Sequence, residues 1–395
     1  MAETQFLDLV ESIRAEDATA QRIFRGDGVS VRSLYGQMDE AKRVEHNMRV
    51  TEVMRFVRAY SEGRIAPVRF REAMTTSDFP VLFGDVIDRT LMGAYKEFPS
   101  SWEMWCKKAT VRDFRSVKRK YVNGGDGTLD VVEEAEEYPI GTRTDGEYAY
   151  AVQKRGRKIP FSWESMINDD LQAFAETPIA LGRAAKRTIE RFAESLICDT
   201  NGPEATFFSS GNGNLVTNKL NVAGLNAAAS AMYALTDAGD EPILNEPAVL
   251  AVPPALKLTA LQLVKTLQVN AKTSGGGSSA QEIWTQNLFQ NLEVATLPYM
   301  RSLITATPAN AATSWFLFAS PAQVERPAVE IGLLRGHETP EVFVKSPNAV
   351  RVGGGDAGAM DGDFDTDSVE YKMRFVFGGA RMDHRAAVAS NGTGS

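Results

Sequence analysis

The sequence is poor in the residues that build metal centres and disulfide frameworks. It holds 2 cysteines and 3 histidines in 395 residues. Cys106 follows Trp102 and Trp105, and Cys198 follows Leu196 and Ile197. Such settings, with no CxxC pair, predict two buried thiols in a reducing cytoplasm rather than zinc ligands or a cross-link. His46, His337 and His384 stand in separate contexts, outside any metal or nucleophile motif. Asp383 and His384 are chain neighbours, which in a strand point to opposite faces, so they make no dyad. The glycine groups at 211–213, 275–277 and 353–355 lack the lysine and the strand–helix setting of a phosphate loop. No apolar run approaches the ~20 residues that cross a bilayer. Met1–Ala20 carries Glu3, Asp8, Glu11 and Glu16 where a signal peptide has a basic region and an apolar run. A basic excess is also missing: the formal net charge is −8 and the pI is about 5.2. Proteins that hold nucleic acid through its phosphates are usually basic. A mildly acidic chain is common among soluble proteins and argues against a phosphate-gripping role. No catalytic constellation is assembled, so neither an enzyme nor a cofactor is expected.

What is present is enough for two or three compact units: 43% hydrophobic and 24% charged residues. The first eighty residues are charged and thin in core. Glu3–Asp17 and Asp39–Tyr60 read as weakly amphipathic helices, an arm that needs another surface. Pro80 then opens a stronger helix, Val81–Phe98. From Thr110 the pattern changes to partial alternation, Val111–Tyr121. A turn cluster at Asn123–Gly127 and the acids Asp130, Glu133, Glu134, Glu136 and Glu137 follow. Tyr148–Phe161 reads as the returning strand, with a basic run at 154–158. This two-stranded excursion, 111–161, has too few apolar residues to bury itself, and a lone hairpin is marginal in water.

Short helices are predicted over Ser162–Asn168 and Asp170–Ala175. Thr177 caps, and Pro178 opens, a regular helix to Cys198, with Leu181, Ala185, Ile189, Phe192 and Leu196 on one face. Arg183, Lys186, Arg187, Glu190, Arg191 and Glu194 cover much of the rest. An α+β section follows: a helix over Ala223–Leu235, a strand at 248–252, a helix from Pro254 to about Val269, and a flexible loop at Thr273–Ser279. Strands are predicted at Leu292–Leu297, Trp315–Ala319, Ala328–Leu334, Glu341–Lys345 and Ser368–Phe377. Asp361, Asp363, Asp365 and Asp367 alternate like a calcium loop. Thr366 stands in the place of the turn glycine and Lys372 in that of the closing glutamate, so an exposed acidic loop is expected.

Four stretches carry a resemblance. They are Thr75–Arg89 running on to Pro99; Ile159–Phe174 running into Ala184–Ala185; Trp315–Pro321; and Val369–Asp383 followed by Arg385. In order and spacing the chain resembles tailed-bacteriophage major capsid proteins of the HK97-type fold, most closely the Mu-like major head subunits. The resemblance implies an α+β subunit. Its parts would be an arm and leading helices (1–110), an extended loop (111–161), and a peripheral domain (162–220) with a spine helix (178–198). An axial domain (221–325), returning peripheral strands (326–377) and a C-terminal segment (378–395) complete it. It also implies self-assembly into hexamers and pentamers of an icosahedral shell around double-stranded DNA, without sequence-specific contacts. Implied partners are a portal, a scaffold, a maturation protease and decoration proteins. Assembly would take place in the host bacterial cytoplasm and the product would be the virion capsid, with no membrane.

Within that frame, Glu133, Glu134, Glu136 and Glu137 of one subunit are expected to meet the basic spine face, Arg183, Lys186, Arg187 and Arg191, of another. The basic run 154–158 beside Tyr148 and Tyr150 is the weaker, nucleic-acid reading. Some relatives join subunits through lysine and asparagine. Lys154, Lys158 and Asn348 are available, but the required acid has no match, so no cross-link is expected. The rivals are a bacterial nanocompartment shell (an encapsulin) and, in another class, an α+β hydrolase. The long helical arm favours the virus over the compartment.

Overall fold

The computed structural model describes residues 100–123, 143–162, 171–237, 239–272, 282–345 and 368–394, with isolated residues among 48–95, among 131–138 and at 365. The chain divides into two units. The first comprises residues 1–98, 155–185 and 339–375; the second comprises 99–154, 186–338 and 376–395. In chain order the elements are α1 (Trp102–Trp105), β1 (Lys107–Val111), β2 (Val117–Asn123), β3 (Thr144–Tyr150), β4 (Gln153–Ser162), α2 (Leu171–Ile197), β5 (Leu215–Val216), α3 (Val222–Tyr233) and β6 (Pro247–Val252). Then come α4 (Lys257–Lys265), β7 (Gln268–Lys272), β8 (Glu282–Gln286), β9 (Glu293–Thr296), α5 (Met300–Leu303), α6 (Asn310–Thr313), β10 (Trp315–Ala319), β11 (Val329–Leu334), β12 (Glu341–Val344), β13 (Ser368–Arg381) and β14 (Ala387–Ser390). The expected α+β class is the class observed.

The second unit is built on a mixed sheet in the order β5-β14-β10-β6-β9. β10 lies at its centre, antiparallel to both β14 and β6. All five of its residues, Trp-Phe-Leu-Phe-Ala, are buried. A continuous apolar run is what a strand covered on both faces requires. Trp315 and Leu317 join Leu225 and Met232 of α3 and Val264 of α4 in one core. The alternate residues, Phe316 and Phe318, point the other way. There Phe318 stacks on Trp105 at 5.0 Å, and Phe316 meets Phe208 at 5.4 Å.

In the same unit β1 runs parallel to β11, and β11 is antiparallel to the second half of β13, Phe377–Arg381. In the first unit β12 is antiparallel to the earlier part of β13, with Glu341 opposite Arg374 and Phe343 opposite Lys372. β4 also pairs with β13.

Several expectations change. The spine does not begin at a Thr177 cap. Helix α2 has 27 residues and passes through Pro178, absorbing the short helix expected at 170–175. A proline inside a helix forfeits one backbone bond, but helix on both sides can carry the axis through. At 1.5 Å per residue the helix is about 40 Å long. The helix from Pro254 is a 3-10 turn followed by α4, and it stops at Lys265 because 268–272 pair with 282–286 across residues 273–281. The C-terminal β14, Ala-Val-Ala-Ser, drew no strand expectation because alanine and serine have little β-propensity. The helix expected over Ser162–Asn168 does not begin at Ser162, which ends β4; its remainder, the helix expected over Glu3–Asp17, and the 361–367 acidic loop apart from exposed Asp365 lie outside the described residues. In the arm, Met48, Arg55, Ala59, Leu91, Met92 and Tyr95 are helical, and all but Met48 are buried. Tyr95 meets Phe375 edge-on at 6.0 Å, so this part of the arm has a surface within its own chain.

Candidate intersubunit surface

The excursion is shorter than 111–161 and better rooted than composition suggests. Residues 107–111 and 153–162 are sheet strands, and only β2 and β3 form the hairpin, paired from Val117–Tyr150 to Asn123–Thr144. Its root has a home on the chain itself. Tyr150 and Val152 are buried with Val111, Leu334, Val376 and Met382.

Two glycines make the seat. Gly332 and Gly378 face each other across β11 and β13. A Cβ on Gly332 would lie 2.7 Å from the Tyr150 ring, and one on Gly378 would lie 2.3 Å from the Ala151 carbonyl oxygen. The chain leaving β3 therefore crosses the sheet where there are no side chains to hold it off.

Charge locks the seat. Glu330, buried, accepts from Tyr150 Oη at 2.5 Å and from Arg119 Nε at 2.9 Å. Burial, then the bond to this carboxylate, pushes the Tyr150 phenol well above its usual range. Arg326 Nη2 donates to the Val122 carbonyl at 2.9 Å, and the guanidinium lies 4.7 Å above the Tyr121 ring. Tyr121 in turn stacks on Tyr148 at 4.6 Å. Among the described residues beyond this anchored stretch, Val131 is 93% exposed and Tyr138 is 79% exposed, while Val132 is half-buried. Glu134 sits in an exposed turn; Glu133, Glu136 and Glu137 lie outside the described residues.

On α2, Arg183, Arg187 and Arg191 are exposed at four-residue spacing. Lys186 is not part of that face. It is 7% exposed, and burial lowers its pKa despite Glu103 and Glu190 nearby. Glu190 and Glu194, read as solvent cover, are buried too. Positions 186, 190 and 194 follow the apolar face of Ala185, Ile189 and Ala193 by one residue, and charge alone hid this in the sequence. Glu190 accepts from Ser100 Oγ at 3.0 Å, from Ser101 Oγ, and from the Ser101 amide at 3.1 Å, tying the chain before α1 to the helix.

Glu194 accepts from the Tyr299 amide at 2.8 Å, while its Oε1 has no hydrogen-bond partner among the described residues. Burial, then repulsion from Glu190, pushes its carboxyl up from 4.5 to about 9. The folded chain thus holds a proton that the unfolded chain has lost. The stability from this group is full below about pH 4.5 and falls as pH rises towards about 9. Glu194→Gln keeps the shape without the titration. Its melting temperature is expected to match wild type near pH 4.5 and to exceed it by several degrees at pH 8. A difference that stays constant across that range would contradict the assignment.

Cys106 and Cys198 are buried free thiols, as expected, and burial raises both. Asp383 and His384 are not in a strand as expected: Asp383 caps a 3-10 turn that begins at His384, which is half-buried with Nδ1 4.0 Å from Asp383, and Asp383 also lies near Arg326 and Arg385. Among the described residues no group of acids, histidines and cysteines could hold a metal, and no helix is long and apolar enough to cross a membrane.

Comparison with known proteins gives a family model described as phage capsid protein, matching residues 146–390, more than half of the chain. A solved structure from Microbacterium phage Oxtober96 is 10% identical, covering 74% of this chain and 91% of that one at a TM-score of 0.45. One from Mycobacterium phage Bobi is 15% identical, covering 74% and 90% at 0.43. The capsid structure of cyanophage P-SCSP1u is 9% identical, covering 74% and 88% at 0.42. No curated protein matches the chain.

Proposed function

The chain belongs to the phage capsid protein family, and from that premise we propose that it closes into hexamers and pentamers of an icosahedral shell around double-stranded DNA. Family membership makes it a structural subunit of the virion and not an enzyme, and it favours the virus over a cellular nanocompartment. The reading adopts the HK97-type division: arm (1–110), extended loop (111–161, of which only the β2–β3 hairpin projects from the sheet), peripheral parts (162–220 and 326–377) carrying the spine, axial domain (221–325) and C-terminal segment (378–395). A portal, a scaffold, a maturation protease and decoration proteins are the further partners in this reading, and the host cytoplasm is where subunits meet.

The observation that carries it is the contrast along one hairpin. Its root is locked to its own chain by Glu330, Arg326 and the glycine seat, whereas Val131 and Tyr138 further out are bare. A stiff element with an uncovered apolar end is suited to a neighbouring copy. Repeated around a closed ring, modest contacts of this kind sum to a stable assembly. The acids beside those residues, Glu133, Glu134, Glu136 and Glu137, would meet Arg183, Arg187 and Arg191 of the next subunit, setting orientation more than affinity. Reversing the four acids to lysine is expected to leave the subunit folded and to reduce shell yield at least about tenfold. Normal shells from that variant, counted by electron microscopy, would remove the pairing.

A further inference from the structure

The sheet of the first unit carries a charged face that the shell reading does not use. On β13 the residues alternate. Tyr371, Met373 and Phe375 are buried, and Glu370, Lys372 and Arg374 lie on the other side. Opposite them are Glu341 and Phe343 on β12 and Lys345 just past its end, and on β4 Lys158 reaches the same face, 3.5 Å from Glu370. These described residues amount to four cations against two carboxylates, on a chain whose net charge is −8.

The cations are also held in place. Lys372 Nζ and Arg374 Cζ lie 4.8 Å and 4.6 Å from the Phe343 ring centroid. Arg374 is fixed by Glu341 at 2.6 Å, and Glu370 lies between Lys158 at 3.5 Å and Lys345 at 4.0 Å. Side chains already ordered lose less freedom when a ligand arrives. Protein partners call for an apolar centre depleted of charge. Among the described residues this face has one aromatic side chain, Phe343, with cations against its ring. A partner that needs no apolar contact, and is itself a repeating line of anions, fits better.

We propose that this face of β4, β13 and β12 binds the phosphate backbone of duplex DNA without reading its sequence. The proposal rests on the shell reading, since it gives the enclosed DNA a contact on the subunit. Each copy would contribute weakly, and the multiplicity of the shell would supply the avidity.

The test uses the full-length chain and a fluorescent duplex of about 40 base pairs and mixed sequence, between about 50 and 200 mM salt. The triple variant Lys158→Gln, Lys345→Gln, Lys372→Gln is compared with Lys219→Gln, Lys257→Gln, Lys265→Gln, which removes the same charge from exposed lysines elsewhere. Wild type and the second variant are expected to bind alike. The first variant should bind at least about tenfold more weakly at low salt, with a salt dependence shallower by roughly three. Equal binding by both variants, or none by wild type, overturns the proposal. So does tighter capture at this face of a synthetic peptide of residues 128–139, which would make the face a protein contact. Particle formation, followed in parallel by electron microscopy, separates the two readings: shells that form but ignore DNA defeat this proposal alone.

Discussion

A chain in which residues 124–143 are replaced by Asn-Gly is expected to fold normally and to form no shells. The replacement closes the hairpin between Asn123 and Thr144, which already face each other across β2 and β3. Asn-Gly is the preferred two-residue connection for such a pair. Everything that seats the root is retained: Arg119 and Tyr150 on Glu330, Arg326 on Val122, and the Tyr121–Tyr148 stack. What is lost is the uncovered end, Val131 and Tyr138, and the acids between them. Burying a large apolar side chain against a partner contributes about 1.5–3 kcal/mol. Two such side chains on every copy of a ring therefore decide whether the ring closes. Circular dichroism should match wild type, while gel filtration should show a species of about one subunit. Shells in normal yield would mean that the tip is not the joint.

The second large effect is expected at the seat. Gly378→Val places a branched side chain where even a single Cβ would stand 2.3 Å from the Ala151 oxygen and 2.9 Å from the Val152 Cα. Both are backbone atoms and cannot swing aside as a side-chain end would. Either β13 shifts away from β11 or the chain at 151–152 lifts, taking buried Val152 out of its cluster. Overpacking of this kind costs about 1–3 kcal/mol, and the branched side chain belongs at the upper end. A melting temperature lower by roughly 5–10 °C is expected. Shells that do form should be fewer, because a lifted root misdirects the tip. Gly146→Ala is a milder comparison, since the nearest atoms to its Cβ belong to the far end of the Tyr121 side chain and not to backbone. A Gly378→Val chain as stable as wild type would show that the crossing is not held there.

Much of this was legible in the residues. The buried run at 315–319, the alternation at 368–377 and the amphipathic period of α2 each follow from one dominant pattern; the first stands where the pattern puts it, while β13 runs on to Arg381 and α2 begins earlier, at Leu171. The misses have physical causes. Thr177–Pro178 looks like a helix start, yet the helix runs through it. Lys186, Glu190 and Glu194 read as solvent-facing because they are charged, yet they occupy the packed side of α2. The seat of the hairpin was invisible because its makers are glycines and a lone buried glutamate, Glu330, brought together over 180 residues of chain. Hydrophobic periodicity shows which residues are buried; it carries nothing about a crossing that depends on missing side chains. At the tip the sequence shows few apolar residues and many acids, and of that stretch Val131, Glu134 and Tyr138 are exposed.

If one hairpin is rooted in its own subunit and finished by the next, a cryo-electron microscopy map of particles from the expressed full-length chain, at side-chain detail, should show Arg119 on Glu330 within each copy, with Tyr138 and Val131 covered by residues of the adjoining copy. A hairpin whose outer end lies folded against its own subunit, or a protein that stays monomeric at every concentration, would contradict this arrangement.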